Sequence, residues 1–102
     1  RMRVKARQAI KTAAACVDQG DAFLTALYQA LTAAIFAKAG RSGEALTWRE
    51  AETALGEAGE DPQLAREAAE LLSVVESAKF SGQMLGADRR QDLLASARRM
   101  TG

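Results

Sequence analysis

Eight carboxylates between positions 50 and 76 are the side chains with the greatest capacity for chemistry: Glu50, Glu52, Glu57, Glu60, Asp61, Glu67, Glu70 and Glu76. Two adjacent carboxylates can act as general acid and base, and a larger set can bind a hard cation. No second type of catalytic side chain accompanies them. Helix capping, helix dipoles or solvation account for most of these positions, so we predict no catalytic residue, no metal site and no cofactor.

Cysteine and histidine chemistry is restricted by composition, because histidine is absent and Cys16 is the only cysteine. This excludes His-based triads, Cys/His zinc sites and an intrachain disulfide. We interpret Cys16 as a small buried residue and the chain as non-enzymatic. An unpaired cysteine favours a reducing, cytoplasmic location.

Two glycine patterns, at residues 40–43 and 56–59, have the GxxG spacing of loops that clamp nucleic acid. Neither continues as the Gly-Lys-Ser/Thr of a phosphate-binding loop, and Glu57 would repel a phosphate backbone. We interpret both as helix ends and turns. Trp48 is interpreted as a core anchor rather than a ligand platform.

The first eleven residues contain five basic side chains and no acidic one: Arg1, Arg3, Lys5, Arg7 and Lys11. The remaining chain has nine basic and thirteen acidic residues. One interpretation is a solvated helix end. The other is a segment directly cytoplasmic of a transmembrane helix, in which Arg1, Arg3, Lys5 and Arg7 contact the inner-membrane surface. Their alternate spacing predicts that they spread around a helix and produce a diffuse field.

The elements that carry these residues are predicted to be helical. Valine and isoleucine are scarce, whereas Ala, Leu, Glu and Arg dominate, which indicates an all-α chain. A length of 102 residues with 48% hydrophobic content allows one modest core. We predict a compact bundle of about five helices in a single domain, 1–102, with a basic first helix (1–17) and a helical body (21–101).

The first two helices follow from apolar spacing. The first covers about residues 2–17, and the second begins at an Asp21 N-cap and ends at Gly40. The uncharged run 22–37 is shorter than the roughly 20 residues that span a bilayer. We therefore predict it as the best-buried helix of the bundle. Because the chain begins at Arg1 inside a run of charge, we expect it to be part of a longer protein.

The next two helices have clear start signals. Thr47 and Glu50 form a capping box at the start of the third helix, which ends near Ala58. Asp61 and Pro62 begin the fourth helix, which extends to about residue 79. Its predicted apolar stripe consists of Leu64, Ala68, Leu71, Leu72, Val75 and Ala78, with the charged residues mainly outside it.

A loop is predicted at residues 80–87, where Phe80, Met84 and Leu85 pack under the bundle. Asp88 and Gln91 form a weaker capping pair for the last helix. The residues of that helix predicted to face the core are Leu93, Leu94, Ala97 and Met100.

This arrangement resembles the C-terminal cytoplasmic domain of BatD, a membrane protein of the aerotolerance operon, over nearly the whole chain. The residues that carry the resemblance are Phe23-Leu24, Leu27-Tyr28, Leu31, Ala45-Leu46-Thr47, Glu50, Leu55, Leu71-Leu72, Glu76, Lys79-Phe80, Leu93-Leu94 and Ala97. The family commonly continues its aromatic element as Ala-Pro-Gly, whereas this chain has Ser81-Gly82-Gln83.

The resemblance implies a large periplasmic region, one membrane span and then this domain on the cytoplasmic side of the inner membrane. It also implies protein partners among the other Bat proteins, which carry von Willebrand A-type domains, and a role in oxygen or envelope stress tolerance. The predicted function is a non-catalytic protein-interaction module of such a membrane-anchored protein.

The alternative is a helix-turn-helix nucleic-acid-binding domain built from the third and fourth helices, with the basic first helix on the phosphate backbone. The acidic residues of those helices would face and repel the phosphates, and only Arg49 and Arg66 would offset that repulsion. We therefore expect no nucleic-acid partner.

Overall fold

Five helices form the fold in the computed structural model, which describes residues 1–82 and 84–101. They are α1 (Met2–Ala15), α2 (Gly20–Ala39), α3 (Trp48–Glu57), α4 (Pro62–Ser81) and α5 (Ala87–Thr101), and the described residues contain no strand. The radius of gyration is 12.4 Å, close to the value of about 13 Å expected for a compact chain of this length. The predicted all-α bundle is confirmed.

Helix α2 is the centre of the bundle, because it packs against all four other helices. Phe23, Leu27, Leu31 and Ile35 are completely buried on it. By length and composition α2 is also apolar enough to cross a membrane, but 61% of its most apolar stretch is buried inside the bundle. It buries more residues than any other helix, which confirms the prediction made for residues 22–37.

The start of α3 confirms the predicted capping box. The Glu50 backbone N–H donates to Thr47 Oγ1 at 3.2 Å, and the Thr47 N–H donates to Glu50 Oε1 at 2.9 Å. The Asp61 carboxylate similarly accepts the Gln63 N–H at 2.9 Å, ahead of Pro62. Each contact satisfies an amide that the first helical turn leaves without a partner.

One boundary each of α1, α2 and α5 differs from its prediction, as does the end of α4. Helix α1 ends at Ala15 rather than at position 17. The Asp21 N-cap is wrong because α2 already begins at Gly20, with Gln19 as an N-cap that makes no side-chain bond. Asp88 likewise lies inside the first turn of α5. In both helices the carboxylate lies near the positive end of the dipole without occupying the cap.

The predicted packing of Phe80 and Met84 under the bundle is wrong, because these side chains are 72% and 94% exposed. Helix α4 continues past residue 79 and ends at Ser81, with Gly82 as its C-cap residue at a φ of 70°. Phe80 is therefore on the helix, outside its buried face. Only Leu85 packs against the core, and it is half-buried.

The prediction that Cys16 is buried is also wrong. It is the C-cap residue of α1 and half-buried, with Sγ 3.1 Å from the Thr12 carbonyl oxygen.

We predict that Thr47→Ala lowers the free energy of unfolding by about 1 kcal/mol, because it removes one half of the capping box. Thr53→Ala is the matched control, since Thr53 is exposed in the same helix and alanine favours helix. Urea denaturation measures both. Equal losses for the two variants would contradict a specific capping role for Thr47.

Candidate functional site

The structure gathers basic side chains at one end of the bundle. Arg3, Arg7 and Lys38 line a depression of about 150 Å³, together with residues of α5. A second depression of about 480 Å³ shares Arg3 and Ala37 with the first and adds Arg1 and Arg41. We call Arg1, Arg3, Arg7, Lys38 and Arg41 the basic surface. Among the described residues, no carboxylate lines either depression.

The basic surface arises from the pairing of α1 with α2, which pack closely along their length. A short connection at residues 16–19 makes them a helical hairpin, so the last turn of α2 lies beside the first turn of α1. Lys38 thereby joins Arg3 and Arg7, which are four residues apart on one face of α1. The diffuse arrangement predicted from alternate spacing is therefore wrong for these two arginines. Lys5 is exposed but lines neither depression.

The N-terminus of α1 contributes a partial positive charge to this surface, and the adjacent C-terminus of α2 contributes an opposing partial negative charge. The N-terminus of a helix carries a partial positive charge that acidic side chains usually offset. Helix α1 has no acidic residue in its first turn and no side-chain cap. In the basic surface only Arg41 has an ion pair among the described residues, with Glu57 at 2.8 Å. Basic residues at the positive end of a helix cost stability, and a local cost of this kind is typical of a functional surface.

Several of the carboxylates singled out in the sequence serve as helix caps or ion-pair partners. In the part of the chain that the structure describes, no three metal-ligating side chains are grouped closely enough to hold an ion. Glu50 and Asp61 cap helices and Glu57 pairs with Arg41. The Thr47 backbone amide and hydroxyl hold the pKa of Glu50 below its ordinary value.

Glu76 is a carboxylate whose partial burial the sequence analysis did not predict. Its side chain is half-buried, and Oε1 is inaccessible and accepts no hydrogen bond within the described residues. Burial raises the pKa of Glu76, the Trp48 backbone amide partly offsets this, and the nearby Glu50 carboxylate raises it further. The sequence could have predicted this partial burial, because Glu76 follows the buried Leu72 by four residues and therefore lies on the core side of α4.

We predict that Glu76→Gln stabilises the fold at neutral pH and has little effect at acidic pH. A raised folded-state pKa means that the folded protein holds the proton more tightly than the unfolded chain, so stability falls as pH rises through that pKa. Glutamine removes the charge and keeps an oxygen that can accept from Trp48. Thermal melts at both pH values, with exposed Glu52→Gln as control, measure this. A lower melting temperature for Glu76→Gln at neutral pH would contradict it.

Comparison of the chain with models of protein families, with curated proteins and with solved structures finds no match. The basic surface is therefore the feature of the described residues that bears most directly on function.

Proposed function

We propose that this chain is a non-catalytic interaction module that lies against an anionic membrane through its basic surface and presents the rest of the bundle to protein partners. The convergence of Arg1, Arg3 and Arg7 with Lys38 at one end of the bundle is the observation that carries this proposal. Anionic lipid requires no alignment of cations along a groove. A positive surface at the end of a bundle is sufficient.

The expected binding is weak and reversible. Each Lys or Arg near an anionic surface contributes roughly 1 kcal/mol, so four unpaired cations supply only about 4 kcal/mol, which corresponds to a millimolar dissociation constant. That strength fits a domain that a covalent membrane anchor already holds near the lipid, because the anchor raises the local concentration. The BatD resemblance would add such an anchor. It would also place the domain on the cytoplasmic side of the inner membrane, with Bat proteins as partners in stress tolerance.

Cosedimentation with vesicles tests the membrane contact. We expect the chain to bind mixed vesicles of phosphatidylglycerol and phosphatidylcholine at low salt and to lose that binding as ionic strength rises. It should not bind vesicles of phosphatidylcholine alone. Nucleic acid offers the same phosphate charge, so a duplex DNA titration is run in the same buffer. Tight, salt-resistant, sequence-dependent DNA binding would contradict the proposal and favour the helix-turn-helix alternative.

A further inference from the structure

A groove of about 470 Å³ lies between α4 and α5, on a part of the bundle that the proposed membrane contact does not use. Its α4 side consists of Leu64, Glu67, Glu70, Leu71 and Val74. On α5, Leu93 and Met100 are buried, and the exposed or half-buried residues along the groove are Arg89, Asp92, Ser96 and Arg99.

The lining residues of the groove lie along one face of each helix. On α4, Leu64, Glu67, Leu71 and Val74 follow one another at intervals of three, four and three residues. On α5, the same intervals separate the residues Arg89, Asp92, Ser96 and Arg99. This is the heptad-type spacing with which helices pack along their length at a small angle.

Apolar side chains in the groove are incompletely covered. Leu64, Leu71 and Val74 are half-buried, and they pack against the core from its edge. Leu64 and Leu71 belong to the apolar stripe predicted for α4, which is only partly covered here because α4 and α5 leave the groove open between them. A helical partner in the groove would remove this remaining apolar surface from water.

The two sides of the groove carry opposite charges. Glu67 and Glu70 lie on the α4 side and Arg89 and Arg99 on the α5 side, and all four are exposed. Within residues 1–82 and 84–101, no ion pair joins the two sides. Arg99 donates to Ser96 Oγ of its own helix at 3.0 Å, and Asp92 is the one acidic residue among the described residues that line the α5 side.

We propose that the occupant of this groove is a second copy of the chain. A two-fold axis along the groove places the α4 side of one copy against the α5 side of the other, so Glu67 and Glu70 oppose Arg89 and Arg99 twice. The two α4–α5 pairs then form a four-helix bundle with the half-buried leucines inside.

The dimer is compatible with the membrane contact. Met100 lines both the groove and the depression that contains Arg3 and Arg7. One end of the groove therefore adjoins the basic surface. Rotation about an axis along the groove leaves both basic surfaces at the same end of the dimer, where both can face one membrane.

Sedimentation equilibrium over a wide concentration range tests the dimer. We expect the parent chain to dimerise and the charge-reversed variants Glu67→Arg/Glu70→Arg and Arg89→Glu/Arg99→Glu each to be monomeric, because each places like charges across the interface. An equal mixture of the two variants should form a heterodimer, because the reversed charges complement each other.

Arg66→Glu/Arg98→Glu is the control, since these exposed side chains lie on α4 and α5 but do not line the groove. It should dimerise like the parent, and circular dichroism establishes that every variant is folded. A parent that is monomeric at all concentrations, or variants that fail to associate when mixed, would overturn the inference. No vesicles are present, so this failure is distinguishable from failure of the membrane contact.

Discussion

Leu31→Ala should lower the free energy of unfolding by about 2 to 5 kcal/mol, the range for large-to-small changes in a packed core. Leu31 is completely buried on α2, the helix that contacts all the others, so its truncation leaves a cavity inside the core. A domain of this size has roughly 5 to 15 kcal/mol of total stability. The melting temperature should therefore fall by about 10 °C or more.

Val4→Ala is the matched control, because Val4 is an apolar residue of α1 that is 52% exposed. Its removal leaves no cavity, and the melting temperature should change little. Thermal melts of both variants against the parent measure the difference. A Leu31→Ala protein that melts like the Val4→Ala protein would contradict the central position of α2.

Replacing Arg3 and Arg7 with glutamine should weaken binding to anionic vesicles by about 30-fold, because each cation near the lipid contributes roughly 1 kcal/mol. Lys5→Gln/Lys11→Gln removes the same charge from the same helix, but these side chains line neither depression of the basic surface. The affinity of that control variant for anionic vesicles should fall by less than about threefold.

All four side chains are exposed, so both variants should keep the parent's melting temperature. Vesicle titration at low salt gives the affinities. Equal losses in the two variants would show that net charge, rather than the basic surface, determines binding.

Local signals predicted most of the helix boundaries. The Thr47–Glu50 box and the Asp61 cap depend on residues two or three positions apart, and Gly40 adopts the left-handed φ of 67° that suits a helix end. Interactions between residues so close together in the chain can be predicted from the local sequence. The start of α2 at Gly20 has no such side-chain signal, because its N-cap Gln19 makes no side-chain hydrogen bond.

The basic surface was only partly predictable. The charge asymmetry identified Arg1, Arg3 and Arg7, but Lys38 joins them only through the α1–α2 hairpin, which could have been inferred from the short connection between two predicted helices. The groove was not predictable, because the position of α5 relative to α4 decides how much of Leu64 and Leu71 is covered. Exposure of Phe80 and Met84 depends in the same way on where α4 ends.

Phe80 and Met84 offer a rival membrane contact, because they are exposed and apolar and lie near the end of the bundle away from the basic surface. Met84 lines a depression with Gly20 and Asp21 at the start of α2, whereas Arg1, Gly40 and Ser42 line one at the end of α2. A helix of 20 residues separates the two ends by about 30 Å.

The most direct test of membrane contact through the basic surface is therefore a measurement of orientation. A polarity-sensitive fluorophore is attached to Ser42→Cys or to Met84→Cys, each in a Cys16→Ser background, and anionic vesicles are added at low salt. We expect the probe at position 42 to enter a less polar environment and to be quenched by lipid-bound quenchers, while the probe at position 84 remains in water. A response at position 84 without one at position 42 would contradict the proposed function.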